Sequence, residues 1–215
     1  MKYILALFFT PLSLYAQTVL FIGDSHSVGP FGKELDALLR REGYKTYTYA
    51  SCGSISEWWF SEKETKCGYF FKDETTEKKG LAEKTPDIEK LLKEIKPDYT
   101  IIELGANYKP IKNDEFIIKD ISKLVDTVLK YDSKCLWVTN PDSRKLKEEI
   151  PRVKELINFA INSRCEIFDS TKVTKYPEDP QIGDGLHYSN QALTPVAINW
   201  AREVFDFFKK VLKNN

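Results

Sequence analysis

Thr18-Val19-Leu20-Phe21-Ile22-Gly23-Asp24-Ser25-His26-Ser27 is the stretch on which the fold turns. Five residues of β-branched, aliphatic or aromatic character, stopped by a glycine, read as a short buried strand. Pro30 then opens an amphipathic helix in which Phe31, Leu35, Leu38 and Leu39 share one face. Proline suits a first helical turn, where its missing N–H would find no intrahelical partner. Gly43 ends that helix.

Outward from this unit the pattern repeats. Residues 44–50 alternate Tyr and Thr as a second strand, and 51–82 form a long irregular stretch rich in Ser, Glu, Lys and aromatics. The charge run at 72–79 reads as a solvated surface. A helix is expected over 87–95, closed by Lys96-Pro97, and a third strand over 99–104, ending at Gly105. Ile117, Ile118, Ile121, Leu124, Val125 and Val128 mark a helix over 114–130. A fourth strand at 135–139, a helix at 145–162, a fifth strand at 165–168 and a closing helix at 191–212 complete the chain. Five strand–helix alternations predict an α/β fold with a five-stranded parallel sheet in a three-layer α/β/α sandwich. In such folds sites gather at the carboxyl ends of the strands.

With 215 residues, 42% apolar and 13% aromatic, the chain can build one sizeable core and is too short for two ordinary domains. The 32 basic residues balance 32 acidic ones, so the basic excess of a nucleic-acid binder is absent, and no nucleic-acid partner is expected. Met1-Lys2, an apolar run from Ile4 to Leu14 interrupted by Pro11, and Ala16 ahead of Gln17 have the form of a secretory signal peptide over residues 1–16. The run is shorter than the roughly 20 residues a bilayer span needs, so no stable membrane insertion is expected. The folded domain is then 17–215, exported to the periplasm or the medium and monomeric.

Cys52, Cys67, Cys135 and Cys165 show no CxxC or Cys/His spacing, so no metal site is expected. In an oxidising compartment four cysteines suggest two disulfides, with three possible pairings.

The chemistry-bearing residues fall after strands. Ser25, on a tight turn after the first strand, would present both its hydroxyl and an N–H to a developing oxyanion. Gly53 after the second strand lets a backbone N–H approach a ligand, and Asn107 after the third offers an amide. Asp184-Gly185-Leu186-His187 supplies an acid and an imidazole three residues apart, able to orient one another. His26 is the other histidine of two in the chain. As the neighbour of Ser25 in a tight turn it projects elsewhere, which suits a substrate-side or packing role. Singly these residues have bland readings, as helix caps and turns. Together at four strand ends they form a constellation.

Phe21-Ile-Gly-Asp-Ser-His-Ser, the glycine after strand two, Gly105-Ala-Asn107 and Asp184-Gly-Leu-His187 resemble, in order, the blocks of the SGNH (GDSL-type) hydrolases. Tyr108 stands where that family often has Asp. The resemblance implies a flavodoxin-like sandwich and esterase, lipase, thioesterase or carbohydrate O-deacetylase chemistry without a cofactor. It implies Ser25 as nucleophile, His187 as general base, Asp184 orienting it, and Gly53 and Asn107 completing the oxyanion hole, with Gly68 the other candidate for the glycine. Trp58, Trp59 and Tyr108 are expected to line the substrate cleft; packing beneath the loop is the alternative for the two tryptophans. The implied strand order makes strands four and five neighbours, about 4.7–4.9 Å apart, which predicts Cys135–Cys165 and leaves Cys52–Cys67.

The expected substrate is a small-acyl ester, an O-acetyl group on a polysaccharide such as cell-wall glycan. A long apolar lid for fatty chains is missing, and Asp-Gly-Leu-His-Tyr is similar to several cell-wall acetyl esterases and acetyltransferases of the family. A lysophospholipase or thioesterase, and a non-catalytic glycan-binding module, are the alternatives.

Overall fold

A computed structural model of the chain describes residues 16–213; the signal segment expected at 1–16 lies, Ala16 apart, outside them. The elements are β1 (Thr18–Gly23), α1 (Ser25–Val28), α2 (Pro30–Arg41), β2 (Lys45–Ser51), α3 (Trp58–Ser61), β3 (Glu64–Thr65), β4 (Tyr69–Lys72), β5 (Glu77–Gly80), β6 (Glu83–Lys84), α4 (Ile88–Ile95), β7 (Tyr99–Glu103), α5 (Asp114–Lys130), β8 (Lys134–Val138), α6 (Glu149–Ile161), β9 (Glu166–Phe168) and α7 (Thr194–Lys213).

β1 lies inside the sheet with parallel partners on both sides, Val19 standing opposite Thr46 of β2 and Tyr99 of β7. Its side chains alternate across the sheet. Val19 and Phe21 join Phe31, Leu35 and Leu39 of α2 and Ala197, Trp200 and Val204 of α7 in one apolar layer. Leu20 and Ile22 face the other layer, built from α4, α5 and α6 through Leu92, Ile121, Val125, Val153 and Ile157. Both faces are covered, so β1 reads as a continuous apolar run rather than an alternating one. Asp87 and Asn113 cap the starts of α4 and α5 by accepting the Lys90 and Phe116 N–H groups.

The sheet order is β5-β4-β2-β1-β7-β8-β9. Its five parallel strands are those expected, but the sheet has seven strands, correcting the five-stranded reading. β4 pairs antiparallel with β2, and β5 antiparallel with β4. Both come from the stretch read as irregular. Tyr69-Phe70-Phe71 supplies the β-forming residues, while β5 is Glu-Lys-Lys-Gly and exposed throughout. A charged edge strand discourages pairing with other chains, and it carries no apolar alternation by which to find it.

The two disulfides are Cys52–Cys67, with Cα atoms 5.5 Å apart, and Cys135–Cys165, at 4.6 Å. The second joins the starts of β8 and β9, as the strand order required. Among the described residues no helix is long and apolar enough to cross a membrane.

Candidate active site

Ser25 is the first residue of α1, a single turn that Asp24 caps by accepting the His26 N–H at 2.9 Å. Asp24 in turn is pinned to the end of β7 by its N–H to the Glu103 carbonyl. The Ser25 Oγ stands 2.9 Å from His187 Nε2, and His187 Nδ1 stands 2.6 Å from Asp184 Oδ2. Asp184 Oδ1 also accepts the Leu186 and His187 N–H groups. Partial burial pushes the Asp184 carboxyl up, but those amides and the His187 ring outweigh it and hold the acid well below the usual carboxylate range. Ionised Asp184 requires Nδ1 to donate, which leaves Nε2 as the acceptor for the Ser25 hydroxyl.

The loop carrying Asp184 and His187 has little secondary structure, and side chains from elsewhere hold it. Tyr176 Oη accepts the Gly185 N–H at 2.9 Å. Arg144 donates to the carbonyls of Pro177, Asp179, Pro180 and Ile182, and the Lys145 N–H donates to the Gly185 carbonyl. That duty keeps 144 and 145 out of the helix expected from 145; α6 begins at Glu149. Gly183 has φ +65°, and a Cβ there would fall 2.3 Å from Tyr176 Oη, so only glycine fits.

Gly53 follows β2 with φ +85°. Neither its N–H nor that of Ser25 donates to a backbone carbonyl among the described residues, which leaves both for a bound oxyanion. Asn107 Nδ2 donates to the Ser54 carbonyl at 3.0 Å and to Asp24 Oδ2 at 3.2 Å, so its amide is oriented by both neighbouring loops.

Two of the three aromatic residues expected in the cleft are elsewhere. Trp59 is fully buried in the core layer with Ile55 and Leu92. Tyr108 is fully buried too; its hydroxyl donates to Asp120 Oδ2 at 2.6 Å and accepts the Ser56 N–H at 3.0 Å. Neither can touch a substrate, and both serve to fix the loop after β2. Trp58 is half-buried, its ring edge under Gly53 and the Lys63 ammonium 4.6 Å from the ring centre. His26 is buried, with ring centres 5.4 Å from His187 and 5.8 Å from Trp200. Burial above all keeps it neutral.

Beneath Ser25 lies a group that sequence reasoning missed. Asp24 and Glu103 are both fully buried, and Ser27 Oγ donates to Glu103 Oε2 at 2.8 Å. Burial raises the Asp24 carboxyl to about 6 against the pull of the His26 amide, His187, Glu103 and Lys109. Burial and then the Asp24 charge push Glu103 well above the usual range. The buried Lys109 ammonium, held by Ser143 Oγ at 2.8 Å, is lowered by burial to about 8. One acid inside the otherwise uncharged 99–104 run was the available signal.

On the other side of Ser25 a cavity of about 30 Å³ is lined by Ser25, His187, Phe31, Tyr188 and Trp200. Among the described residues no group of three or more His, Cys, Asp or Glu side chains is arranged to hold a metal ion.

No protein-family profile and no curated protein matches the sequence. Solved structures do match. A peptidoglycan O-acetylesterase superposes with a TM-score of 0.65 at 9% identity, over 94% of this chain and 93% of that one. The psychrotrophic esterase EstA from Pseudoalteromonas sp. gives 0.60 at 18% identity, over 93% and 100%. A GDSL-like lipase from Bacteroides thetaiotaomicron gives 0.54 at 12%, over 88% of each chain. With its strand order and its alignment to these structures over nearly its whole length, the chain has the fold of the SGNH (GDSL-type) hydrolases.

Proposed function

We propose that the protein is an exported serine esterase that removes small acyl groups, O-acetyl above all, from polysaccharide or cell-wall glycan. The observation that carries the reading is the unbroken chain from Ser25 Oγ through His187 to Asp184. In the acylation step Ser25 Oγ attacks the ester carbonyl carbon while its proton passes to His187 Nε2. The Ser25 and Gly53 N–H groups receive the oxyanion, joined by Asn107 Nδ2, which shares with it the proton now directed at Asp24. The carbonyl re-forms, the ester C–O bond breaks, and His187 protonates the departing alcohol. Water then loses a proton to His187 and attacks the acyl carbon; Ser25 leaves, takes that proton back and frees the carboxylic acid.

The small-acyl part is supported by the small pocket beside Ser25, lined by Phe31, Tyr188 and Trp200. The half-buried Trp58 beside Gly53 offers an aromatic edge to a sugar ring. Export accords with the two disulfides. The test is a series of nitrophenyl esters of increasing chain length beside O-acetylated glycan, with a fluorophosphonate probe for Ser25. Acetate should be turned over fastest and acetate released from the glycan. A rise in rate with chain length overturns the substrate, and no labelling of Ser25 overturns the enzyme.

A further inference from the structure

We propose that Glu103 is a positioning residue that stands as a neutral carboxylic acid beneath the nucleophile and donates its proton to the Asp24 carboxylate, so that Asp24 holds the Asn107 amide without monopolising it. The last link, through Asn107, rests on the esterase reading; the protonation state does not.

The hydrogen bonds locate the proton. Four carboxyl oxygens are buried here, and three have donors. Asp24 Oδ1 takes the His26 N–H, Asp24 Oδ2 takes the Asn107 amide, and Glu103 Oε2 takes the Ser27 hydroxyl. Glu103 Oε1 has none. Two buried carboxylates side by side repel one another, and an orphan acceptor costs its full desolvation. A proton on Oε1, shared with Asp24, removes both penalties. Asp24 keeps the charge because it already accepts two donors and lies near the Lys109 ammonium, while Glu103 is pushed up by burial first and then by the Asp24 charge. The other groups facing the pair are the neutral His26 of α1 and, across Lys109, Asp142 after β8.

The consequence falls on Asn107. A bare buried carboxylate would bind its amide proton as a strong charge-assisted bond. With Glu103 donating to Asp24, part of the carboxylate's charge is already engaged, and the proton of Asn107 Nδ2, which stands 3.2 Å from Asp24 Oδ2, remains available to an oxyanion on the Ser25 side.

Glu103→Gln tests this directly, since its amide can donate to Asp24 while its carbonyl accepts from Ser27. Glu103→Leu removes both bonds. The glutamine variant should keep kcat within about threefold, whereas leucine should lower kcat at least about tenfold with KM unchanged. Two readouts need no activity. Wild type at neutral pH should show the infrared band of a protonated carboxylic acid, absent from Glu103→Gln. A carboxyl whose folded pKa is raised above its unfolded value, near 4.5, loses stability as pH climbs from there toward the folded value. The melting-temperature advantage of Glu103→Gln over wild type should therefore widen between pH 5 and 8. A missing band, a pH-independent gap, or a glutamine variant as inactive as leucine would overturn the proposal. A band and widening gap in a wild type without turnover would support the protonated pair and overturn the esterase reading instead.

Discussion

At the scale of single residues the proposed chemistry makes sharp demands. Ser25→Ala and His187→Ala should each lower kcat by on the order of 10³-fold or more with the fold intact, because nucleophile and base act as a unit. Circular dichroism alongside steady-state kinetics checks both halves of that statement, and retained turnover in either variant removes the assignment. Asn107→Ala should cost about 2.7–4 kcal/mol of transition-state stabilisation, the usual loss for one oxyanion donor. If its kcat stays near wild type, the Asn107 protons remain on Ser54 and Asp24 throughout turnover. Ser25 was legible because it follows β1 directly, and Asp184 and His187 because their three-residue spacing is a sequence property. Tyr108 was misread, and for Trp59 the packing alternative holds, because residue type does not tell which way a side chain on a loop turns. Tyr108 found the buried Asp120 carboxylate, and that bond drew it inward. Glu103 escaped notice because its partners, Asp24 and Ser27, lie on another strand end.

At the scale of elements the apolar stripes placed the helices within a few residues, and the errors lie where tertiary bonds override local preference. Asn190 caps the turn before α7, which begins at Thr194 rather than 191. The stretch after β2 is the larger miss, since β4 and β5 gain their order from pairing on β2. The Cys52–Cys67 bridge closes 15 residues of that stretch, between Gly53 and the start of β4. Cys52→Ser/Cys67→Ser should lose up to about 3 kcal/mol by the chain-entropy argument. Its effect on kcat should exceed what the lost stability alone explains, because the bridge lies next to Gly53 and to Thr65, whose hydroxyl donates to the Cys52 carbonyl. Turnover measured well below the melting temperature separates the two. A kcat equal to wild type there would free Gly53 from any dependence on the bridge.

At the scale of the molecule, topology explains why the site is where it is. From β1 the chain passes to β2 on one side and later returns to β7 on the other, so the order reverses at the carboxyl end of β1. A crevice opens at such a point, and Ser25 stands in it. The parallel sheet was legible from five strand–helix alternations with right-handed crossovers, and its strand order from the resemblance to the SGNH hydrolases. The Cys135–Cys165 bridge is at the opposite edge, joining β8 and β9 where they begin. It closes 30 residues, spanning β8, α6 and the start of β9, and the chain-entropy argument assigns it about 3.6 kcal/mol. For a domain of this size Cys135→Ser/Cys165→Ser should therefore melt about 7–14 °C lower. Its kcat at low temperature should match wild type, since among the described residues no bond of the Ser25 site runs to that edge. Calorimetry and kinetics on the same preparation read both quantities. A large fall in kcat without a fall in melting temperature would mean that the amino-terminal edge communicates with the site through β8 and the loop that carries Arg144, rather than acting as a remote staple.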